Sequence, residues 1–234
     1  MPIKALTFDV FGTLVDWHAS VTREAQALLA PKGFELNWAG FTERWRTGYF
    51  SAMGPVRKGE RPFATIDAMH REILDGLLKD DGVTGLSEAE IDHLNRAWHR
   101  LDPWPDVVEG MTRLKRRFIL GSLSNGNVAL IVAMARRGGL PWDVLLGGDV
   151  TRAYKPEAKA YDRAAALLGL DPSQCLMVAA HPFDLVSAAK RGFRTAYVHR
   201  PLEQGVGKDT VRPAPGTFDY AVDNLTELAD QLNA

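Results

Sequence analysis

Ile3-Lys4-Ala5-Leu6-Thr7-Phe8-Asp9-Val10-Phe11-Gly12-Thr13-Leu14 opens the chain with a short apolar run that ends on one acid and turns at once. A run of this length bounded by a Gly-Thr turn reads as a buried parallel strand. Asp9 then stands at the strand's C-terminal end, the edge where open α/β sheets bind their ligands. Two positions further on the chain has Phe11 rather than a second acid.

The rest of the chain divides around this strand. Helical patterns follow it without a good strand: one from near Ser20 to Ala30, one after the N-cap candidate Asn37 through Trp45 and Tyr49, one over about Thr65 to Leu78, and one from Ser87 to about His99. Ser87-Glu88-Ala89-Glu90 has capping-box spacing. Leu101-Asp102-Pro103-Trp104-Pro105 closes the region. Beyond Asp106 helices and strands alternate. Strands are expected at Phe118–Leu123, Val144–Leu146, Leu176–Ala179, Thr195–Val198 and Tyr220–Val222. Helices are expected at about Val107–Arg116, Val128–Arg137, Ala158–Leu168, Phe183–Arg191 and Leu225–Leu232. Alternation of this kind predicts an α/β fold, a doubly wound parallel sheet with helices on both faces. Residues 1–15 and 105–234 are expected to form this core and residues 16–104 an inserted helical cap. The Gly- and Pro-rich stretch from Arg200 to Thr217 reads as a surface excursion.

Composition excludes several classes. A chain of 234 residues, 46% hydrophobic and 24% charged, suits one soluble α/β domain with an insertion. The formal net charge of -1 gives a nucleic-acid partner no electrostatic support. No apolar stretch reaches membrane-spanning length, no leader pattern precedes the first strand, and a cytoplasmic location is the expectation. The single Cys175 has no internal disulfide partner and reads as a buried small hydrophobe.

Four polar signals fall at or just after expected strand ends: Asp9, then Leu123-Ser124-Asn125-Gly126, then Tyr154-Lys155-Pro156, then Ala180-His181-Pro182-Phe183-Asp184. Each has an ordinary explanation when taken alone. Asp9 would serve in a turn, Ser-Asn-Gly as a helix cap, Lys155 as a surface lysine, and Asp184 as a helix N-terminal charge. Their order along one edge of one sheet points instead to a single crevice.

The set resembles the haloacid dehalogenase-like hydrolase superfamily, and most closely its L-2-haloacid dehalogenases. Phe8 to Leu14 match the family's Phe-Asp-x-Tyr/Phe-Gly-Thr-Leu, and Trp45-Arg46 its Trp-Arg in the cap. Leu123 to Gly126 match Leu-Ser-Asn-Gly, and Tyr154, Lys155, Pro156 and Tyr161 match Tyr-Lys-Pro with its following Tyr. The chain departs from the pattern at one place. His181 stands where such enzymes have Asn in a Ser-Asn pair before the last aromatic-Asp.

The resemblance implies a role for each residue. Asp9 is the expected nucleophile, attacking the halogen-bearing carbon of a short L-2-halocarboxylate to form an ester with inversion. Thr13 would hold Asp9, Lys155 would lower its pKa, and Tyr161 would support Lys155. Arg46, Asn125 and the Phe183 ring would receive the halide, and Ser124 the substrate carboxylate. Asp184 and Lys155, with His181, would orient the water that releases a D-2-hydroxy acid. Phe11, Tyr49, Phe63 and Trp45 are candidate walls around the alkyl part. Halide needs no protonation on leaving, so Phe11 replaces the proton donor of the related phosphatases. A monocarboxylate needs no metal clamp either, so no metal and no cofactor are expected. The expected partners are the substrate, the halide and a second copy of the chain in a homodimer. His18, His70, His93, His99 and His199 show no metal spacing, and His93 and His99 read as solvated on one helix. Two other readings stand beside this one: a small-molecule phosphatase without the usual acid, and a catalytically idle binding protein on the same fold.

Overall fold

The computed structural model describes residues 1–208 and 210–234. Its first strand, β1 (Ala5–Phe8), is buried along its whole length. The two-residue β2 (Val15–Asp16) follows, then α1 (Trp17–Leu29), α2 (Trp38–Arg57), α3 (Ile66–Asp80) and α4 (Glu88–Asn95). The short β3 (Asp102–Pro103) pairs antiparallel with β2. Then come α5 (Val107–Leu114), β4 (Ile119–Leu123), α6 (Val128–Gly138), β5 (Val144–Leu146), α7 (Gly148–Thr151), α8 (Ala158–Leu168), β6 (Cys175–Ala179) and α9 (Pro182–Ala189). The chain closes with β7 (Arg194–Val198), β8 (Tyr220–Val222) and α10 (Leu225–Gln231).

The six long strands form one parallel sheet in the order β5-β4-β1-β6-β7-β8. The doubly wound sheet expected from the alternation is present. β1 lies between β4 and β6, where the winding reverses, and that is where a ligand crevice forms in such sheets. Side chains alternate across the sheet with period two. Leu176 and Val178 enter one apolar layer with Leu6, Phe8 and Leu120, while Cys175, Met177 and Ala179 enter the other with Tyr161 and Leu185. Cys175 is fully buried and free, and burial beside Asp171 pushes its thiol up to about 11.

Local chemistry sets the helix ends. The Asp16 carboxylate accepts from the Ala19 amide, so α1 begins three residues before the expected Ser20. Asn37, Thr65 and Ser87 cap α2, α3 and α4 as the sequence indicates, and Ser87 and Glu90 close the capping box. Two expectations are corrected here. α4 stops at Asn95, and His99 lies in the 3₁₀ turn of residues 96–99 with its Nε2 2.9 Å from Asp67 Oδ1. It is thus held in an ion-pair position rather than solvated. The Arg200–Thr217 stretch is not purely superficial, because Arg200 and Glu203 are 6% and 3% exposed.

Arg200 anchors that stretch to the loop that follows β1. Its Nε donates to the Thr13 carbonyl at 2.9 Å, and its two terminal nitrogens donate to the Asp106 carboxylate at 2.7 and 2.9 Å. Asp106 in turn accepts from the Leu225 amide at the start of α10. Removing one partner of a buried, bidentate pair leaves the other charge uncompensated, which costs about 3–5 kcal/mol. Arg200→Met is therefore expected to lower the free energy of unfolding by about that amount, read from urea titration.

Candidate active site

Asp9 follows β1 directly and its carboxylate is met by three donors. Thr13 Oγ1 donates to Oδ2 at 2.7 Å, Lys155 Nζ donates to Oδ1 at 2.8 Å, and His181 Nδ1 stands 3.0 Å from Oδ2. The Thr13 hydroxyl also accepts from the Ala180 amide at 2.9 Å, so its rotamer is fixed from both sides. Burial raises the Asp9 pKa, but the Lys155 and His181 charges and hydrogen bonds outweigh it and hold the group well below the usual carboxylate range. Asp9 is thus an ionised carboxylate in a nearly dry place.

Lys155 is shared by two acids. Its Nζ also donates to Asp184 Oδ2 at 2.5 Å, and the other Asp184 oxygen accepts from the Tyr161 hydroxyl at 2.5 Å. Burial opposes the Lys155 charge, yet Asp184 and Asp9 together raise its pKa above the ordinary value. Asp184 is shifted up, first by burial and then by the Asp9 charge. The two carboxylates therefore differ in proton affinity: Asp9 is the poor base and Asp184 the better one. Tyr161 supports Asp184 and not Lys155, which corrects the role expected for it. The reason is placement, since α8 carries Tyr161 beneath the first turn of α9, where Asp184 sits.

These groups face a cavity of about 260 Å³, small enough for a short acid. Ser124 and Asn125 reach its wall from the end of β4. Ser124 Oγ accepts from the Gly126 amide at 3.1 Å and donates to no protein acceptor among the described residues. Asn125 is more heavily engaged. Its amide donates to the Tyr49 hydroxyl at 2.9 Å, and its carbonyl accepts from the Lys155 amide at 2.6 Å. The half-exposed Phe183 ring and Phe50 flank the cavity, and Phe11 and Tyr49 line it.

Arg46 enters from α2. Its guanidinium lies 5.6, 5.4, 5.0 and 5.3 Å from the ring centres of Phe11, Trp17, Tyr49 and Phe50. It makes no ion pair among the described residues. Ring faces stabilise a cation by about 0.5–1 kcal/mol at accessible sites and leave its N–H donors free. Arg46 is accordingly a positioned cation with unused donors on the cavity wall.

Two expected wall residues are not there. Phe63 stacks on Tyr154 at 5.1 Å under the Arg152 guanidinium, outside the cavity. Trp45 is fully buried, with its indole N–H donating to the His70 carbonyl. Its ring packs edge-on against Trp98. His70 stacks on Trp98 at 4.3 Å, and neither ring nitrogen has a partner among the described residues. Burial, and then the Arg46 charge, push its pKa down to about 3, so it is a neutral filler.

The sequence reading missed Arg57 and Glu203. Arg57, the last residue of α2, donates to the Lys155 carbonyl at 2.5 Å. Glu203 Oε1 stands 2.9 Å from His181 Nε2 and accepts from the Trp17 indole at 3.2 Å. The one available signal was Gly12, which has φ +84° and where any Cβ would overlap the Glu203 side chain. Among the described residues no group of three or more His, Cys, Asp or Glu side chains is placed to hold a metal ion.

The model of the haloacid dehalogenase-like hydrolases matches residues 3–192, which takes in all the strand-end groups. The chain belongs to this family. Within it, an (S)-2-haloacid dehalogenase of Pseudomonas sp. (strain YL) is 31% identical over 211 residues, covering 85% of this chain and 83% of that protein. The crystal structure of a defluorinating L-2-haloacid dehalogenase superposes with a TM-score of 0.95 at 41% identity, covering 99% of this chain and 96% of that one. The crystal structure of a second L-2-haloacid dehalogenase gives 0.94 at 42% identity, with 99% of each chain covered. The hydrolase fold of the family and its strand-end acid thus coincide here with the crevice built around Asp9.

Proposed function

We propose that this hydrolase removes halide from short L-2-haloacids, giving D-2-hydroxy acids by inversion through an ester on Asp9. The observation that carries the reading is the ionised Asp9, held by Thr13, Lys155 and His181, facing a small cavity that also contains Arg46, which has no ion-pair partner among the described residues. Oδ2 is engaged by two donors and Oδ1 by one, so Oδ1 is the oxygen that attacks the halogen-bearing carbon. In-line placement of nucleophile and carbon supplies about 7–11 kcal/mol at best. The C–X electron pair leaves with the halide, which Arg46, with Asn125 and the Phe183 ring edge, receives. Ser124 takes the substrate carboxylate. Asp184 then accepts a proton from water as the water attacks the Asp9 ester carbonyl. The Cγ–Oδ1 bond breaks, that oxygen takes the proton held by Asp184 and leaves as the product hydroxyl, the water oxygen stays on the Asp9 carboxylate, and the second water proton is released, one per turnover.

Phe11 supports carbon–halide rather than phosphate chemistry, because an apolar ring beside the nucleophile offers no proton to an alkoxide. The printed activities of the similar dehalogenases support the same substrate class. The β2–β3 ribbon, where the four-helix segment leaves and rejoins the sheet, supports a division into a core of residues 1–15 and 105–234 and a cap of residues 16–104. The cap selects substrate size through Tyr49 and Phe50. A homodimer and a cytoplasmic location belong to the same proposal and rest on the family resemblance; light scattering tests the first. No helix among the described residues is long and apolar enough to cross a membrane.

The test is chloride release from L- and D-2-chloropropionate in EDTA, with the chirality of the product determined. Chloride and D-lactate from the L form alone are the expected result. No chloride from either form, with p-nitrophenyl phosphate hydrolysed once Mg²⁺ is supplied, would sink the proposal.

A further inference from the structure

We infer that Glu203 is a positioning residue that fixes His181 as a doubly protonated ring, so that His181 and Thr13 together hold the second oxygen of Asp9 as an oxyanion seat. The inference rests on the function proposed above and extends it to a residue outside the strand-end set.

The argument is one of donors and acceptors. His181 Nδ1 lies 3.0 Å from Asp9 Oδ2 and its Nε2 lies 2.9 Å from Glu203 Oε1. Ionised carboxylates only accept, and a neutral imidazole has one donor and one acceptor. Only the imidazolium satisfies both contacts. Glu203 is 3% exposed and its position is fixed independently of His181. The Trp17 indole donates to it, and the αL glycine at position 12 leaves the space it occupies. The pKa directions agree. Burial lowers His181, but its hydrogen bonds to Asp9 and Glu203 raise it to about 10. Burial raises Glu203, but His181 brings it below the usual range.

Among the described residues the charged groups around the ring fit this state. Asp9 faces it from the end of β1, Asp184 and Lys155 lie behind Asp9, and Arg46 faces Glu203 from α2. A second cavity of about 310 Å³ on the other side of His181 brings Glu43 and Lys208 to its wall. When water attacks the Asp9 ester, the carbonyl electron pair moves onto Oδ2. The Thr13 O–H and the His181 Nδ1–H already point there. Donors preorganised at a developing oxyanion act without reorganisation, and the loss of one costs about 10²–10³-fold in kcat.

The experiment compares wild type with Glu203→Gln, His181→Asn and the double variant. Glu203→Gln keeps the shape and the Trp17 contact but removes the charge. The His181 imidazole resonances, followed by NMR against pH without substrate, are expected to titrate about 1–3 pH units lower in Glu203→Gln. The kcat profile for L-2-chloropropionate should gain an alkaline limb at the same lowered pH, with KM changed less than about twofold. Intact-protein mass spectrometry should find the Asp9 ester accumulating on that limb. The double variant should match His181→Asn alone, since Glu203 acts only through the ring. Unchanged His181 titration, or additive effects in the double variant, overturns the inference. A wild-type protein that titrates as expected but releases no chloride overturns the function proposal, and with it the oxyanion role.

Discussion

Asp9→Asn is expected to abolish halide release, lowering kcat/KM by on the order of 10⁴–10⁶-fold, the cost of deleting a nucleophile from an intact site. The variant keeps the shape of the side chain and its Thr13 neighbour but loses the anionic oxygen that would attack carbon. No ester should be detectable by mass spectrometry at any substrate concentration. The substitution should also lower stability. The pKa of Asp9 is depressed in the folded chain, so its ionised form adds stability above the ordinary carboxylate range, and that contribution is lost as pH falls through the folded value. The amide never supplies it. Circular dichroism at the assay temperature separates this effect from the chemical one. Residual turnover near the wild-type rate would mean that another group attacks.

Lys155→Met is expected to have the second largest effect. The ammonium stands 2.8 Å from Asp9 and 2.5 Å from Asp184, both nearly closed to solvent. Without it the two buried carboxylates lose the cation between them; His181 still meets Asp9, so the proton taken up toward neutral pH goes to Asp184. Activity should fall about 10³-fold or more, because a protonated dyad supplies either nucleophile or base but not both. The pH profile distinguishes this from simple misplacement. In the wild type the acid limb follows Asp184, whose pKa lies above the ordinary Asp value, and activity is lost as pH falls through it. In Lys155→Met that limb moves toward neutral pH, so the residual rate rises with pH where the wild type is level. A flat profile at low rate would point to a purely structural lysine.

Much of the sheet was legible because strand ends and apolar runs coincide. Val144–Leu146 and Tyr220–Val222 match the expected strands to the residue, and Ala158–Leu168 the expected helix. β2, β3 and α7 were missed, being two or four residues long, too short for either period to show. Asp9, Ser124, Lys155 and Asp184 could be placed in one crevice from order alone. What order does not carry is the direction of a hydrogen bond. The family pattern points Tyr161 at Lys155, but it bonds Asp184; Phe63 is a candidate cavity wall, but it stacks on Tyr154. Glu203 was hidden for a different reason. It lies in a Gly- and Pro-rich stretch with no period, and it is held against the site by long-range contacts to Trp17 and His181, with Arg200 anchoring its stretch and Gly12 leaving it room.

The position of β1 has a consequence for synthesis. β1 is made before both of its neighbours and pairs with β4 through residue 119 onward and with β6 through residue 175 onward. The Lys155 and His181 contacts of Asp9 span 146 and 172 positions. Until residue 175 and those after it have been made, β1 has an open apolar edge, and open edges recruit other strands. Such non-local pairing slows folding. Asp9 is therefore synthesised long before the residues that complete its environment.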